Sequence, residues 1–212
     1  MNEREEEILN GACAVFMKYG IKSVNMDDVA KNLRISKKTL YKYVSDKRDL
    51  IIRCFDLVHS QEEKAITQIC ARGLNAIDEM FEISNFAVGM LQGLHPSIHF
   101  DMEKYYPEVW KDMVNKRDTQ VYSCMHANMV KGMEEGLYRD NLKPEILAKI
   151  YITKLDAVFD GEIFPPDQVS FAEVYMELFR YHIRGIASEK GIAYLVEKMA
   201  KESRTNATNP NL

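Results

Sequence analysis

The chain has 212 residues, of which 46% are hydrophobic and 28% charged, a balance typical of a soluble globular protein with one large domain or two smaller ones. No segment approaches the roughly 18 uncharged apolar residues of a membrane-spanning helix. The acidic start MNEREEEIL lacks the features of a signal peptide, so we expect a cytoplasmic protein. The four cysteines are widely spaced and form no Cys-x-x-Cys pair, which favours buried free thiols over a zinc site or a disulfide framework.

The net charge of −4 is unevenly distributed along the chain. Between Lys31 and Arg48 there are seven basic residues and one acid, Asp46, so this segment carries +6 and the remainder −10. A local positive patch on an otherwise acidic protein can bind DNA phosphates. A solvated helical face would give the same charge pattern, so charge alone leaves both interpretations open.

The N-terminal segment shows the pattern of two consecutive helices. Apolar positions at helical spacing and an acidic first turn predict a helix over residues 3–19, ended by Gly20. Asn25 is a good N-cap, with Asp28 three residues later in a capping-box relation. A short helix from about Met26 to Leu33 should follow.

A third helix is predicted after a tight connection at Arg34 and Ile35. Ser36 is suited to cap it, and it should run to about Tyr43, with Leu40 in the core. Two short helices behind a longer one form a helix-turn-helix, whose last helix can enter the major groove of DNA. The residues left around its exposed face are Lys37, Lys38, Thr39, Tyr41, Lys42 and Tyr43. The alternative for either tyrosine is packing onto a neighbouring helix.

The next helix begins beside the same surface. Ser45 and Asp46 can cap it, and its N-terminal amides together with Lys47 suit a backbone phosphate.

These motifs resemble the N-terminal domain of the TetR (tetracycline-repressor-like) family of bacterial regulators over about residues 6–55. The pattern combines Phe-x-x-x-Gly ending at Gly20, Ser-x-x-Thr-Leu-Tyr-x-Tyr at 36–43 and Lys-x-x-Leu at 47–50. One departure is Val24, where many members carry a threonine that can help at the DNA backbone. The resemblance implies base contacts from Lys37, Lys38 and Tyr41, and phosphate contacts from Asn25, Thr39, Tyr43 and Lys47, to which charge adds Lys42.

The rest of the chain is also predicted to be helical. The expected segments are 50–70, 76–91, a short piece at 97–104, 107–135, 144–160, 170–187 and 192–201. We therefore predict an all-α protein with a DNA-binding domain at 1–46, an effector-binding and dimerisation domain at 47–202, and a flexible tail at 203–212.

Segments 144–160 and 170–187 are apolar on more than one face, so their own domain or a partner must cover them. The resemblance favours a homodimer with a two-fold, four-helix interface here, and burial in the core of the domain is the alternative. The predicted interface residues are Ile150, Lys154, Val158, Tyr175, Leu178, Phe179 and His182.

The middle of the chain is rich in methionine and aromatic residues. Such side chains can line a pocket for an apolar or aromatic ligand, although each could equally be ordinary core. The predicted effector-pocket residues are Phe86, Met90, Met102, Tyr106, Trp110, Met113, Tyr122 and Met125. The sequence does not define the charge of the effector.

Together these features predict a homodimeric repressor that binds a palindromic operator and is released by a small, largely apolar effector. The alternatives are a ligand-activated regulator and, more distantly, a helical enzyme, a metal-binding protein or a DNA-binding protein without sequence preference. His95 and His99 with Asp101 and Glu103 resemble a metal or acid–base site, but Pro96 interrupts the helix that would align them, so we expect an ordinary loop. No enzyme motif is present, and we expect no catalytic residues, metal or cofactor.

Overall fold

The computed structural model describes the backbone of residues 2–208 and the side chains of residues 2–200, and the described chain is all-α. Its helices are α1 (Glu3–Tyr19), α2 (Met26–Asn32), α3 (Lys37–Leu40), α4 (Lys47–Cys70), α5 (Ala76–Leu91), α6 (Ser97–Tyr105), α7 (Pro107–Glu134), α8 (Pro144–Val158), α9 (Phe171–Ile186) and α10 (Glu189–Thr208). This confirms the predicted fold class. No helix within residues 2–208 is long and apolar enough to span a bilayer.

Local sequence signals set the ends of several helices. Asn25 accepts hydrogen bonds from the amides of Asp27 and Asp28, and the Asp28 carboxylate returns to the Asn25 amide, which completes a capping box. Gly20 ends α1 with φ of 81°. A Cβ at Gly20 would lie 2.7 Å from Ser97 Oγ, so both its conformation and its surroundings require glycine.

Three predicted elements differ from the structure. α3 ends at Leu40, and the hydrogen bonds from Lys42 to Thr39 and from Tyr43 to Leu40 continue it only as a tighter 3₁₀-type turn. The ordinary loop expected around His99 and Asp101 is instead helix α6, which confirms the short piece predicted at 97–104. The last helix continues to Thr208 instead of ending near residue 201, and of the predicted tail 203–212, residues 209–212 lie outside the described residues.

The chain divides into two compact units. The first unit contains the chain up to Gln68 and Met90–Gln120, and the second contains Ile69–Gly89 and the chain from Val121 onward. The core of the first unit joins apolar residues of α1–α4, with Leu9, Phe16 and Leu40 fully buried, to residues of α6 and α7. The first unit is thus larger than the predicted DNA-binding domain 1–46, and a functional boundary at residue 46 remains a prediction.

A buried polar network joins α5 to α7 in the second unit. Asn128 Nδ2 donates to Glu79 Oε1 at 2.8 Å, and the Tyr138 hydroxyl donates to Asn128 Oδ1 at 2.9 Å. Lys131 Nζ lies 2.7 Å from the Glu79 carboxylate. Because these buried polar groups are satisfied by one another, the network fixes the register of the two helices. α8 and α9 also pack against each other.

Candidate nucleic-acid interface

The connection between α2 and α3 is a Schellman turn. The Arg34 amide donates to Lys31 O at 3.1 Å, and the Ile35 amide donates to Ala30 O at 3.0 Å. Arg34 has φ of 55°, the left-handed conformation that glycine usually supplies at this position. Ser36 then begins α3, because its hydroxyl accepts from the Thr39 amide at 3.0 Å. Local capping thus sets the angle between the two short helices.

One buried leucine orients α3. Leu40 has no exposed surface, as predicted, and Val44 one turn later is 3% exposed. Tyr41 is 43% exposed, and Lys38 and Lys42 are also exposed. Tyr43 is instead half-buried and packs against the core of the first unit. The exposed face of the helix-turn-helix therefore presents one phenol and several ammonium groups.

Ion pairs reduce the positive charge of this surface. Lys37 Nζ lies 2.9 Å from Asp27 Oδ2, and the Asp27 carboxylate raises the pKa of Lys37. Arg48 lies 2.6 Å from Glu108 Oε2. Both pairs are solvent-exposed, and exposed pairs of this kind contribute little to stability. Phosphate can therefore compete for both cations at small cost.

Two of the predicted phosphate-contacting side chains are already engaged in capping. Asn25 Oδ1 accepts from the amides of Asp27 and Asp28 at 2.8 and 3.0 Å. Thr39 Oγ1 lies 2.8 Å from Ser36 Oγ. Capping fixes the position of both groups, so they would meet DNA without further ordering.

Lys47 is positioned by the turn that follows α1. Its Nζ donates to the carbonyl of Ile21 at 2.6 Å. Partial burial lowers the pKa of Lys47, while the Asp101 carboxylate opposes that shift. This lysine therefore has a defined position at the start of α4, whereas Lys37 and Lys38 of α3 are exposed.

Asp101 on α6 holds the same turn, a role that the sequence did not reveal. Its Oδ2 accepts from the amides of Ile21 and Lys22 at 3.1 and 2.9 Å, and from Ser97 Oγ at 3.2 Å. Asp101 is only 4% exposed. A buried carboxylate that accepts backbone amides compensates its desolvation through these bonds. The sequence separation of about 80 residues left no local signal for this contact.

The histidines near Asp101 do not form the metal or acid–base arrangement considered from the sequence. His95 Nδ1 lies 2.9 Å from Ser97 Oγ, and its amide donates to Met17 O at 2.8 Å. The His99 ring packs edge-on against Trp110, with centroids 4.5 Å apart. These side chains join α6 to α1 and α7 within the first unit.

Comparison with known proteins identifies this architecture. Residues 8–54, which contain the helix-turn-helix, match the family described as "Bacterial regulatory proteins, tetR family". This match places the helix-turn-helix of the chain in the TetR family of regulators. A curated relative, the "Uncharacterized HTH-type transcriptional regulator YvaF" of Bacillus subtilis (strain 168), is 23% identical over 174 residues, covering 79% of this chain and 88% of the relative.

Solved structures of several transcriptional regulators share the fold. A transcriptional regulator from Cytophaga hutchinsonii gives a TM-score of 0.71 at 14% identity, covering 88% of this chain and 100% of its own. The fatty acid degradation regulator FadR from Bacillus halodurans gives a TM-score of 0.66 at 14% identity, covering 86% of this chain and 96% of its own. The ketosteroid transcriptional regulator KstR2 of Mycobacterium tuberculosis gives a TM-score of 0.57 at 15% identity, covering 89% of this chain and 97% of its own. These structures show that the chain has the fold of such regulators.

The predicted effector-pocket residues of the regulator fall in both compact units. Met102, which has no exposed surface, belongs to the core of the first unit, and Tyr106, Trp110 and Met113 pack against that core. Met90 is 42% exposed in the same unit. The second unit contains Phe86, Tyr122 and Met125.

The predicted dimer residues divide between buried and exposed positions. The chain's own second unit buries Val158, Tyr175 and Phe179, whereas Leu178 is half-buried. Ile150 is 43% exposed, and the exposed Lys154 places its ammonium 4.5 Å from the centroid of the Tyr181 ring.

His182, the remaining predicted dimer residue, has a largely covered ring. It packs edge-on against Tyr151, with centroids 4.8 Å apart. Burial lowers the pKa of His182 to about 4, and its Nε2 has no hydrogen-bond partner in the described chain. His182 is therefore neutral at neutral pH.

The second unit also has an open groove of about 860 Å³ that the sequence did not predict. Its lining includes Tyr138, Arg139 and Lys190. Both cations already bind backbone carbonyls, Arg139 that of Gly185 and Lys190 that of Glu135. None of the predicted effector residues lies in this groove.

Proposed function

We propose that this TetR-family regulator acts in the cytoplasm as a homodimer that represses transcription by binding a palindromic operator. α3 enters the major groove with Lys37, Lys38 and Tyr41 against base edges. Asn25, Thr39, Lys42, Tyr43 and Lys47 contact phosphates. The two α3 helices of a dimer would lie about one DNA turn, roughly 34–36 Å, or somewhat more apart.

The observation that carries this proposal is the register of α3. Because Leu40 is completely buried, Tyr41 and the lysines on either side of it are directed to solvent. An exposed phenol can contact thymine methyl groups, sugars and phosphates, and ammonium groups bind phosphate or guanine. On a DNA duplex, these groups can therefore form stabilising contacts that they do not form in water.

Two substitutions separate base contacts from phosphate contacts. Lys47→Ala should weaken binding to every duplex. The slope of the logarithm of the binding constant against the logarithm of the salt concentration should become shallower by about 0.9 for each lost phosphate contact. Tyr41→Ala should instead cost about 1–3 kcal/mol at particular base pairs of the operator. Fluorescence anisotropy with an operator duplex and a scrambled duplex measures both effects. Equal behaviour of the two variants would contradict this division, and equal affinity of wild type for both duplexes would contradict operator recognition.

The homodimer is supported by apolar side chains that the chain leaves uncovered on α8 and α9. Ile146 and Ile150 on α8 are 48% and 43% exposed, and Tyr181 on α9 is 69% exposed. Apolar side chains exposed together on two packed helices favour covering by a second copy.

Light scattering after size exclusion tests the dimer. The wild type should have twice the chain mass of 24.5 kDa. Ile150→Glu should give a monomer, because the carboxylate would be buried unpaired at the interface. Val196→Glu, a change at a residue 65% exposed on α10, is the control and should leave the mass unchanged. A wild-type monomer would refute the assembly.

We further propose that a small, largely apolar effector binds the second unit and releases the operator. Phe86, Tyr122 and Met125 are the contact residues we retain, because most of the other predicted residues pack on the core of the first unit. The names of FadR and KstR2 refer to fatty acid degradation and to ketosteroids, which supports an apolar ligand class. An effector shifts DNA affinity only through its preference for one protein conformation.

A thermal-shift screen tests the ligand class. A long-chain fatty acid and a ketosteroid are the probes, and a sugar phosphate is the polar control. Stabilisation should follow RT ln(1 + [L]/Kd), or about 2.7 kcal/mol at 100 times Kd. A stabilising compound should lower operator affinity in the anisotropy assay. An increase in affinity would favour the ligand-activated alternative instead.

A further inference from the structure

Next to the proposed DNA surface, the first unit carries a second group of exposed lysines, combined with aromatic rings. We call Lys18, Tyr19, Lys22, Phe100, Lys104 and Tyr105 the aromatic–lysine patch. Tyr19 is 45% exposed, Phe100 55% and Tyr105 39%. These six residues come from the end of α1, the turn after it and α6.

Each lysine of the patch lies over an aromatic ring. The distance from Nζ to the ring centroid is 5.0 Å for Lys18 over Tyr19 and 4.8 Å for Lys22 over Tyr105. Lys104 lies 4.9 Å from the Phe100 centroid. Cation–π contacts hold these flexible side chains near the surface while their charge stays accessible. The ammonium groups are therefore partly ordered before any ligand arrives.

The carboxylates near the patch compensate only part of its positive charge. Asp101 is buried and its Oδ2 is engaged by the amides of Ile21 and Lys22. Glu103 is the exposed acid of α6. The Tyr105 hydroxyl raises the pKa of Lys22, so this ammonium remains charged at neutral pH. Three lysines against Glu103 and the buried Asp101 leave a net positive surface that attracts a polyanion.

The patch is continuous with the proposed phosphate contact at Lys47. Lys47 Nζ donates to the carbonyl of Ile21, and Lys22 is the next residue along the chain. Asp101 fixes the amides of both turn residues. One rigid turn therefore carries Lys47 on one side and leads into the aromatic–lysine patch on the other.

We propose that the aromatic–lysine patch binds the sugar–phosphate backbone of the operator duplex next to the phosphates contacted by Lys47. The lysines pair with phosphates, and the exposed rings pack on sugars. Because neither contact reads base edges, the patch adds affinity without sequence preference. This inference rests on the proposed DNA-binding function and extends its footprint onto α6.

The test compares two double variants that remove the same charge. Lys22→Gln/Lys104→Gln removes two patch lysines and keeps the rings, whereas the control Lys64→Gln/Lys143→Gln removes two exposed lysines on α4 and before α8. Anisotropy is measured on operator and scrambled duplexes at several salt concentrations. The patch variant should bind both duplexes about 3- to 10-fold more weakly, with a salt slope reduced by about 2–3.5 for the four lysines of a dimer.

The remaining outcomes are equally decisive. The control should match wild type, and Phe100→Ala should weaken binding a few-fold without changing the salt slope, because the ring releases no counterions. A patch variant with wild-type affinity and slope would overturn the inference and point to an acidic protein partner, provided Lys47→Ala is still defective. If the wild-type protein does not bind DNA at all, the proposed function itself is refuted.

Discussion

The bond between α6 and the turn after α1 gives a quantitative prediction for Asp101→Asn. Asparagine keeps an acceptor oxygen but loses the charge. A hydrogen bond to a charged group contributes about 1.5–3 kcal/mol and a neutral one about 0.5–1.5 kcal/mol. The bonds to the amides of Ile21 and Lys22, at 3.1 and 2.9 Å, should each lose about 1 kcal/mol, so the first unit should be destabilised by about 2 kcal/mol.

Urea unfolding followed by tryptophan fluorescence measures this loss. Trp110 is the single tryptophan and packs against the core of the first unit, so its signal reports on that unit. With a slope of about 1–1.5 kcal/mol per M, as for a domain of about 100 residues, the midpoint should fall by roughly 1–2 M. Asp101→Ala should cost more, because both amides would lose their partner.

Asp112→Asn is the matched control for this prediction. Asp112 also lies in the first unit, but its side chain is 64% exposed and pairs with Lys116 at 2.7 Å one turn later on α7. Loss of such a pair should shift stability by less than about 0.5 kcal/mol. If Asp101→Asn and Asp112→Asn unfold at the same urea concentration, the turn after α1 does not depend on the Asp101 carboxylate and our reasoning is wrong.

Four further predictions follow from individual residues. Gly132→Ala should destabilise the second unit by about 1–3 kcal/mol, because its Cβ would lie 2.1 Å from the Tyr138 ring; Gly89→Ala, with open space, should be neutral or slightly stabilising in the same thermal melt. Arg34→Gly should stabilise by about 1 kcal/mol at a left-handed position, as measured by urea unfolding, and a loss of stability would show that the Arg34 side chain matters more than its φ. His182 has a folded pKa of about 4, below its unfolded value, so protonation of the unfolded chain should lower stability as pH falls from about 6.5 to 4. This loss should reach roughly 3 kcal/mol and be missing in His182→Gln, and parallel pH profiles of the two proteins would contradict it. A thiol reagent should modify exposed Cys70 first, before buried Cys13 and Cys54, and mass spectrometry after partial labelling would reveal a different order.

Elements with local signals could be predicted from the amino-acid sequence. Asn25 and Asp28 form the predicted capping box, Gly20 ends α1, and the period of apolar residues places Leu40 in the core. Such signals act within a few residues, so backbone hydrogen bonding and side-chain spacing are enough to read them. Together with the family resemblance, they were sufficient to predict a helix-turn-helix regulator with an all-α fold.

Which side chains are buried or hydrogen-bonded could be learned only from the tertiary structure. The apolar pattern around Val158 and Tyr175 is the same whether a partner subunit or their own unit buries these residues. In the structure, their own unit buries both. Asp101 looked like part of a polar loop, yet it is buried on α6 and bound to amides far away in sequence. Burial and non-local hydrogen bonds depend on which surfaces meet after folding, and residue periodicity does not contain that information.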